Sequence, residues 1–165
     1  MKPQFVYAQI EDLPRIVEIY NQTIPTRIAT ADLELVSVKS RKPWFETFDP
    51  TSRPLWNIKL DGNLVGFIGL EEFYGRPAYK KTSEVCIYID QNFRGQKLGQ
   101  AALDFIAGQL KSLDIDTLLA FVFGHNIPSQ NLFMKNGFKT WGHLPEVALM
   151  DGVRRDLDIL GKRYY

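Results

Sequence analysis

Several residue types and patterns that identify common protein classes are scarce in this sequence. The single cysteine, Cys86, excludes an internal disulfide and agrees with a reducing compartment. The two histidines, His125 and His143, are isolated from each other and from metal-ligand spacing, so no metal site is expected. The chain has 20 Lys and Arg residues and 19 acidic residues, so it is nearly neutral, and its basic residues form no stripe. We therefore expect no nucleic-acid partner.

Long apolar runs are also missing. The longest apolar stretches are too short to cross a bilayer, and residues 1–4 lack the apolar run of a signal peptide. These absences predict a cytoplasmic protein with no membrane partner. What the sequence does have is 165 residues with 45% hydrophobic content, which predicts one domain over residues 1–165.

The order of predicted elements indicates a mixed α/β fold. Residues 56–60 and 64–70 flank Asp61-Gly62, a pair that favours the tight turn of a hairpin. Residues 37–48 predict a second helix, with a break or late start at Pro43. Over the whole chain the predicted order is β, α, α, β, β, β, α, β, α, β, β.

A glycine-punctuated basic loop joins a predicted strand, residues 83–89, to an amphipathic helix that starts near Leu98. The first amides of a helix have no intrahelical partner and favour anions, and Gly95 and Gly99 would let a pyrophosphate approach them. The loop is neither a P-loop nor a dinucleotide fingerprint, because both patterns require other residues. Taken alone, it is equally compatible with an ordinary connection between a strand and a helix.

A second loop and short helix follow the predicted strand at residues 117–123. Ser129 is the predicted cap of this helix after Pro128, and Gly137 suits the left-handed position at its end. The pattern N-x-x-S-x-x-L-F-x-K-x-G-F lies about thirty residues after R-G-x-x-x-G.

Together, these two motifs resemble the GCN5-related N-acetyltransferases, the GNAT family. Residues 76–79, 82–89 and 141–145 are similar to the branch that acetylates phosphinothricin and methionine sulfoximine, and the similarity extends from Tyr7 to about Leu160. The resemblance implies the GNAT acyl-CoA N-acyltransferase fold, with a mixed sheet of about six to seven strands and about four helices. It also implies acetyl-CoA as the acetyl donor and a homodimer.

The resemblance assigns the cofactor to the strand and the two loops. It implies that the pantetheine arm pairs with the strand before the basic loop, that the amides of this loop hold the pyrophosphate, and that Asn126 bonds the pantetheine chain. Lys97 stands where the family usually has glycine. The residues expected to bind the cofactor are Ile87, Tyr88, Ile89, Arg94, Gly95, Gln96, Lys97, Leu98, Gly99, Gln100, Asn126, Ser129 and Phe133.

Glu84 is the candidate general base, because it precedes the expected cofactor contacts and matches the base of the resembled branch. The alternative is a strand-edge glutamate that faces water. Strand alternation places Glu84, Cys86 and Tyr88 on one face, and we interpret Cys86 as small packing filler rather than a nucleophile. At Phe133 the family often has tyrosine or histidine, so this chain lacks that proton donor to the thiolate.

The predicted acceptor contacts lie in the loop before the strand of Glu84. Arg76 and Tyr79 match positions that contact the acceptor's carboxylate in the resembled branch, and Phe73 and Tyr74 would form an aromatic wall. An exposed loop charge is the alternative for Arg76. The early loop at residues 25–31 departs from the branch's pattern in the segment that lies against the substrate.

The resulting hypothesis is an N-acetyltransferase that transfers acetyl from acetyl-CoA to a small amino-acid-like amine. Direct attack in a ternary complex is expected. Two alternatives remain open: a larger acceptor, such as a protein N-terminus, an aminoglycoside or a polyamine, and a non-catalytic module that binds acyl-CoA.

Overall fold

The computed structural model describes residues 2–165. Seven strands and four helices follow one another in the predicted order. They are β1 (Gln4–Tyr7), α1 (Leu13–Thr23), α2 (Val38–Glu46), β2 (Leu55–Leu60), β3 (Asn63–Glu72), β4 (Thr82–Ile89), α3 (Leu98–Gln109), β5 (Thr117–Phe123), α4 (Ile127–Lys135), β6 (Lys139–Met150) and β7 (Val153–Arg163).

One mixed sheet contains all seven strands in the order β1-β2-β3-β4-β5-β7-β6. Every neighbouring pair is antiparallel except β4 and β5, which are parallel. The predicted mixed α/β fold is therefore confirmed, and the parallel pair lies near the middle of the sheet.

Apolar residues cover both faces of the sheet. On one face, β4 contributes Val85, with Ile87 and Ile89 beside it, to a core that also contains α3 residues such as Ile106 and the α4 residue Phe133. On the other face, α1 and α2 pack over β3 and the Tyr88 side of β4. The predicted alternation along β4 is therefore confirmed, and Glu84 lies on the face covered by α1 and α2.

One turn and one helix end that were predicted from residue type are confirmed. Asp61 and Gly62 have φ angles of 50° and 78°, as the primed turn of a tight hairpin requires. Gly137 has a φ of 88° directly after α4, which is the left-handed stop that the sequence predicts.

Two details of the helices differ from the prediction. α2 continues through Pro43 without a break, and Ser37 and Ser40 close its start as a capping box. Proline removes one backbone donor, but the whole helix is unburied or half-buried, so water can bond the freed carbonyl. At α4 the cap is Asn126, whose side-chain oxygen accepts from the Ser129 amide at 3.3 Å, and not Ser129 itself.

Within residues 2–165, no helix combines the length and the apolar composition that crossing a bilayer requires.

Candidate active site

The central feature of the site is a separation between β4 and β5. The two strands pair only over Thr82–Thr117, Ser83–Leu118 and Glu84–Leu119. Beyond Glu84, β4 stays paired with β3 as far as Ile89, and β5 stays paired with β7 as far as Phe123. The strands therefore diverge into a cleft of about 560 Å³ that has the free edge of β4 along one wall.

The basic loop closes one end of this cleft at the start of α3. Lys97 precedes the helix, no side chain caps the first amides, and the helical bonds begin with the amide of Ala101 to the Lys97 carbonyl. Gly95 has a φ of 78°, and a Cβ there would meet no atom within 4 Å. The loop thus presents open backbone donors at the positive end of a helix, where a pyrophosphate fits.

Lys97 and Gly99 explain two features of the loop motif. Lys97 adopts a left-handed backbone with a φ of 60°, a conformation that costs a non-glycine residue about 1 kcal/mol. That conformation accounts for the usual glycine at this position in the resembled family. Gly99 serves the packing of helices, since a Cβ there would lie 2.9 Å from Leu132 Cδ2 of α4.

Residues of α4 and of the turn before it form the opposite wall. Asn126 is buried and uses its side-chain oxygen to cap α4, while its amide NH₂ makes no bond to residues 2–165. That group is free to donate to a ligand in the cleft. Phe133 is buried against Phe138, with ring centroids 4.9 Å apart, so its ring forms an apolar wall with no proton to donate.

Glu84 lies where β4 and β5 part, and its carboxyl group has an environment suited to a general base. Burial, and secondarily the nearby Glu71 carboxyl, raises the pKa of Glu84 to about 7. Glu71 is its direct cross-strand neighbour on β3 and accepts a hydrogen bond from Trp44 Nε1 at 3.1 Å. A carboxyl group with a pKa near 7 can gain and lose a proton at neutral pH.

Cys86 and Tyr88 share the face of Glu84 but remain protonated. Burial is the main cause that raises the pKa of the Cys86 thiol well above its ordinary value, and the same holds for the Tyr88 hydroxyl. A neutral thiol is a poor nucleophile, which agrees with the interpretation of Cys86 as packing filler.

The segment between α1 and α2 forms part of the cleft wall. Thr26, Ile28 and Ala29 line the cleft, and Arg27, between them, holds the segment in place. The Arg27 carbonyl accepts a hydrogen bond from His125 Nε2 at 2.7 Å, and its guanidinium pairs with Asp151 in the β6–β7 turn at 2.9 Å. The segment is thus tied to the residue that precedes Asn126.

Comparisons with known proteins give a consistent result. Residues 13–138 match the sequence model of the Acetyltransferase (GNAT) family. A Bacillus subtilis (strain 168) protein with the provisional name phosphinothricin acetyltransferase is 47% identical over 156 residues, which are 94% of this chain and 95% of the relative. The chain belongs to the GNAT family.

Two further similarities support the assignment to this family. A Pseudomonas aeruginosa PAO1 enzyme, named L-methionine sulfoximine/L-methionine sulfone acetyltransferase, is 24% identical over 155 residues, covering 93% of this chain and 90% of the relative. A crystal structure with a provisional phosphinothricin N-acetyltransferase name superimposes with a TM-score of 0.95 at 44% identity and 99% coverage of both chains. The GNAT fold predicted from the motifs is confirmed.

As a GNAT protein, the chain is an N-acetyltransferase with acetyl-CoA as its donor. The cleft fits this donor, because it combines open amides at the start of α3, an unpaired strand edge on β4 and the free amide of Asn126.

The structure brings most of the predicted cofactor residues together around the cleft. Residues 87–89, 94, 95 and 97–100 line it, as do Asn126, Ser129 and Phe133, and Glu84 lies among them. Gln96 is exposed and does not line the cleft.

The four predicted acceptor residues lie elsewhere in this chain. Phe73, Arg76 and Tyr79 line a separate depression beside Arg53, and 80% of the Tyr74 surface is exposed. The aromatic rings of this loop do cluster, with the Phe73 and Tyr74 centroids 4.6 Å apart. The loop is therefore organised, but none of these four residues lines the cleft that contains Glu84.

Sequence reasoning did not identify Glu71 and Trp44 as neighbours of the site. One usable signal existed, because the antiparallel pairing of β3 with β4 places Glu71 opposite Glu84. Trp44 reaches Glu71 through the packing of α2, which no local pattern specifies.

Proposed function

We propose that this GNAT enzyme transfers acetyl to the amino group of a small amino-acid-like acceptor by direct attack in a ternary complex, with Glu84 as general base. The observation that carries the proposal is the position of Glu84. It lies where β4 and β5 part, at the end of the cleft away from the α3 amides, and its pKa is about 7. A base with this pKa is half ionised at neutral pH.

The chemistry requires removal of a proton, because a primary amine is mostly ammonium near neutral pH. Glu84 would take this proton directly or through water. Bound acetyl-CoA would supply the activated acyl group, while the Gly95 to Gln100 amides and Asn126 hold it. The free edge of β4 would pair with the donor's amide-containing arm, as an added strand does.

The names of the relatives support an amino-acid-like acceptor. One relative is provisionally named for phosphinothricin and another is named for methionine sulfoximine and methionine sulfone. We propose an acceptor of this type for this chain. The contacts predicted for Phe73, Tyr74, Arg76 and Tyr79 stay a prediction, and acetylation of a larger acceptor is the outcome that would replace this proposal.

A thiol-release assay tests the function. Wild-type protein should release CoA from acetyl-CoA with at least one member of a panel that contains phosphinothricin, methionine sulfoximine, methionine sulfone and the common amino acids. Glu84→Gln should slow release about 10²- to 10⁴-fold, while acetyl-CoA binding, followed by calorimetry, stays intact. Tight binding of acetyl-CoA with no release for any acceptor, including peptides, polyamines and aminoglycosides, would contradict the proposal.

We also propose a homodimer and a cytoplasmic location. β6 is an edge strand of the sheet, and together with the first residue of β7 it exposes large apolar side chains, namely Trp141, Leu144, Val147, Leu149 and Val153. Such an edge usually needs cover, which a second copy would supply. Light scattering that gives the mass of one chain would exclude the dimer, and fractionation of cells would test the location.

The arrangement of all seven strands in one sheet supports the further proposal that residues 1–165 form a single domain. A single cooperative unfolding transition of the whole chain is the expected result.

A further inference from the structure

Arg41 of α2 stacks on the rings of Tyr20 and Trp44, which we call the Arg41 clamp, on the face of the sheet that carries Glu84. Its guanidinium carbon is 4.4 Å from the ring centroid of Tyr20 and 4.3 Å from that of Trp44. Stacking on ring faces holds a guanidinium in a fixed plane and leaves its edge free for hydrogen bonds.

The positive charge of Arg41 has no anionic partner in the part of the chain that the structure describes. Arg41 makes no hydrogen bond or ion pair there, and its Nε atom is buried without a partner. Two other arginines with buried or half-buried side chains do have partners. Arg15 pairs with Asp90 at 2.6 Å, and Arg53, whose Nε also lacks a partner, donates through Nη2 to the Lys80 carbonyl at 2.8 Å. An orphaned polar atom of this kind is rare in proteins and indicates a missing partner.

Two routes of contact connect Arg41 to the catalytic strand. Tyr20 packs edge-on against Tyr88 of β4 at 5.1 Å, and Trp44 donates to Glu71, the cross-strand neighbour of Glu84. Burial is the main cause of the raised pKa of Cys86; the Glu71 and Glu84 carboxyls raise it further, and the Arg41 cation lowers it. On β4, Cys86 lies between Glu84 and Tyr88, on the face that α1 and α2 cover.

The result is a face of the sheet with the Glu71 and Glu84 carboxyls and the Arg41 cation, which makes no ion pair within residues 2–165. The Asp32 carboxyl already accepts a hydrogen bond from the Tyr20 hydroxyl of the Arg41 clamp. An α-amino acid carries the complementary charges, since its amine faces the carboxyl groups and its carboxylate faces the cation. A guanidinium with a free edge binds a carboxylate through two parallel hydrogen bonds. A polyamine or an aminoglycoside would place a further positive charge beside Arg41, which is unfavourable.

We propose that Arg41 binds the carboxylate of an α-amino-acid acceptor and thereby orients the amine toward Glu84. This inference rests on the proposed function and makes it more specific, because it assigns the carboxylate contact to α2 and not to Arg76. The ligand class is an amine with an adjacent carboxylate.

The test compares two acceptors in several variants. The acceptors are the amino acid that wild type acetylates fastest and the carboxamide of the same amino acid, which lacks the negative charge. The variants are Arg41→Gln, Arg41→Lys, Arg76→Gln and Lys42→Gln, the last of which removes an exposed charge from the next position of the same helix. For each protein, the ratio of kcat/KM for the acid to kcat/KM for the amide is measured.

Arg41→Gln should lower this ratio about 10- to 100-fold relative to wild type, as expected for the loss of hydrogen bonds between charged groups. Arg41→Lys should lower it less, because lysine keeps the charge and loses the two-pronged geometry. Lys42→Gln should leave the ratio within about twofold of wild type, since exposed charges contribute little. The KM for acetyl-CoA should be unchanged in every variant.

Three results would overturn the inference. They are an Arg41→Gln variant that loses activity equally with acid and amide, a ratio that falls only in Arg76→Gln, and a wild type that acetylates acid and amide equally. Misfolding is separated from these results, because activity with the amide and the melting temperature report folding for each variant. A wild type that acetylates no acceptor at all would instead refute the proposed function.

Discussion

The two ends of the cleft are built in different ways. At the donor end, the contacts available to a ligand come mainly from backbone amides, which are the start of α3, the Gly95 loop and the free edge of β4. In the acceptor site that we propose beside Glu84, they would come from side chains of four segments, which are α1, α2, β3 and β4. Backbone contacts tolerate changes of side chain, whereas side-chain contacts do not. Substitutions at the acceptor end should therefore alter chemistry and specificity, and most substitutions at the donor end should not.

The largest effect is expected at Glu84. Glu84→Gln keeps the size of the side chain but removes the base, so kcat should fall about 10²- to 10⁴-fold, the usual contribution of general base catalysis. The KM for acetyl-CoA should stay within about twofold of wild type. Steady-state thiol release at saturating donor gives both numbers. If kcat remained above about a tenth of the wild-type value, Glu84 would not be the base.

The next effect tests the backbone at the donor end. Gly95→Ala should raise the KM for acetyl-CoA about tenfold, because alanine disfavours a φ of 78° and the loop would shift its amides. Gly62→Ala is a matched control, since Gly62 in the β2–β3 turn also has a φ of 78° and open space at its Cβ. Both variants should lose similar stability, about 1 kcal/mol, in thermal unfolding. Equal KM values in the two variants would show that the loop amides do not bind the donor.

A smaller effect is expected at Glu71, the cross-strand neighbour of Glu84. The raised pKa keeps Glu84 protonated below about pH 7, so wild-type kcat/KM for the acceptor should rise with pH through about 7. Glu71→Gln removes a negative charge that disfavours ionisation of Glu84. The pKa should fall, and the rise in activity should move to lower pH by about half a unit.

Glu72→Gln is the control for this pH measurement, because Glu72 is the next residue of β3 and is exposed. Its pH profile should match that of wild type. An unchanged profile in Glu71→Gln would mean that burial alone sets the ionisation of Glu84.

The same ionisation has a consequence for stability. Because burial raises the pKa of Glu84 from 4.5 to about 7, the folded state favours the protonated form, and wild type should lose stability as pH rises from 4.5 to about 7. Glu84→Gln has no group to ionise at this position and should lack this loss. Melting temperatures at pH 5 and pH 8 check the difference between the two proteins. A parallel decline in both would exclude Glu84 as its cause.

The smallest effect is expected at Lys97. Lys97→Gly restores the residue that the family usually has and suits a φ of 60°, so the KM for acetyl-CoA should change by less than about threefold. Lys97→Ala keeps the unfavourable backbone conformation and removes only the charge. Comparison of the two variants therefore separates the contribution of the backbone from that of the charge. A rise of more than about tenfold in both variants would assign the phosphate contact to the lysine side chain, against the backbone account.

The sequence predicted those parts of the fold and site that local chemistry specifies. Asp61-Gly62 and Gly137 require positive φ angles, so their turns follow from residue type alone. The pattern of a strand followed by a glycine-containing loop predicted β4 and α3, and it predicted that Glu84 lies near the cofactor. These features need contacts only between residues that are close along the chain.

What was not predicted depends on contacts between distant segments. One exception is local: the cap of α4 is Asn126 and not Ser129, because Asn126 directly precedes the helix, and both residue types are good caps. The separation of β4 from β5 beyond Glu84 is a property of two strands together, and neither strand's pattern contains it. Arg41 became a candidate only when packing placed it between Tyr20 and Trp44.

The gap between β4 and β5 also makes the folding stability of this enzyme depend on the concentration of its donor. Without the donor, backbone groups that face the gap form hydrogen bonds to water. Amides along this edge should therefore show fast hydrogen exchange. Donor binding would protect them and stabilise only the folded chain, by about 2.7 kcal/mol at a concentration a hundred times the Kd. The free energy of unfolding, and with it the resistance of the chain to proteases, should therefore rise with the concentration of acetyl-CoA.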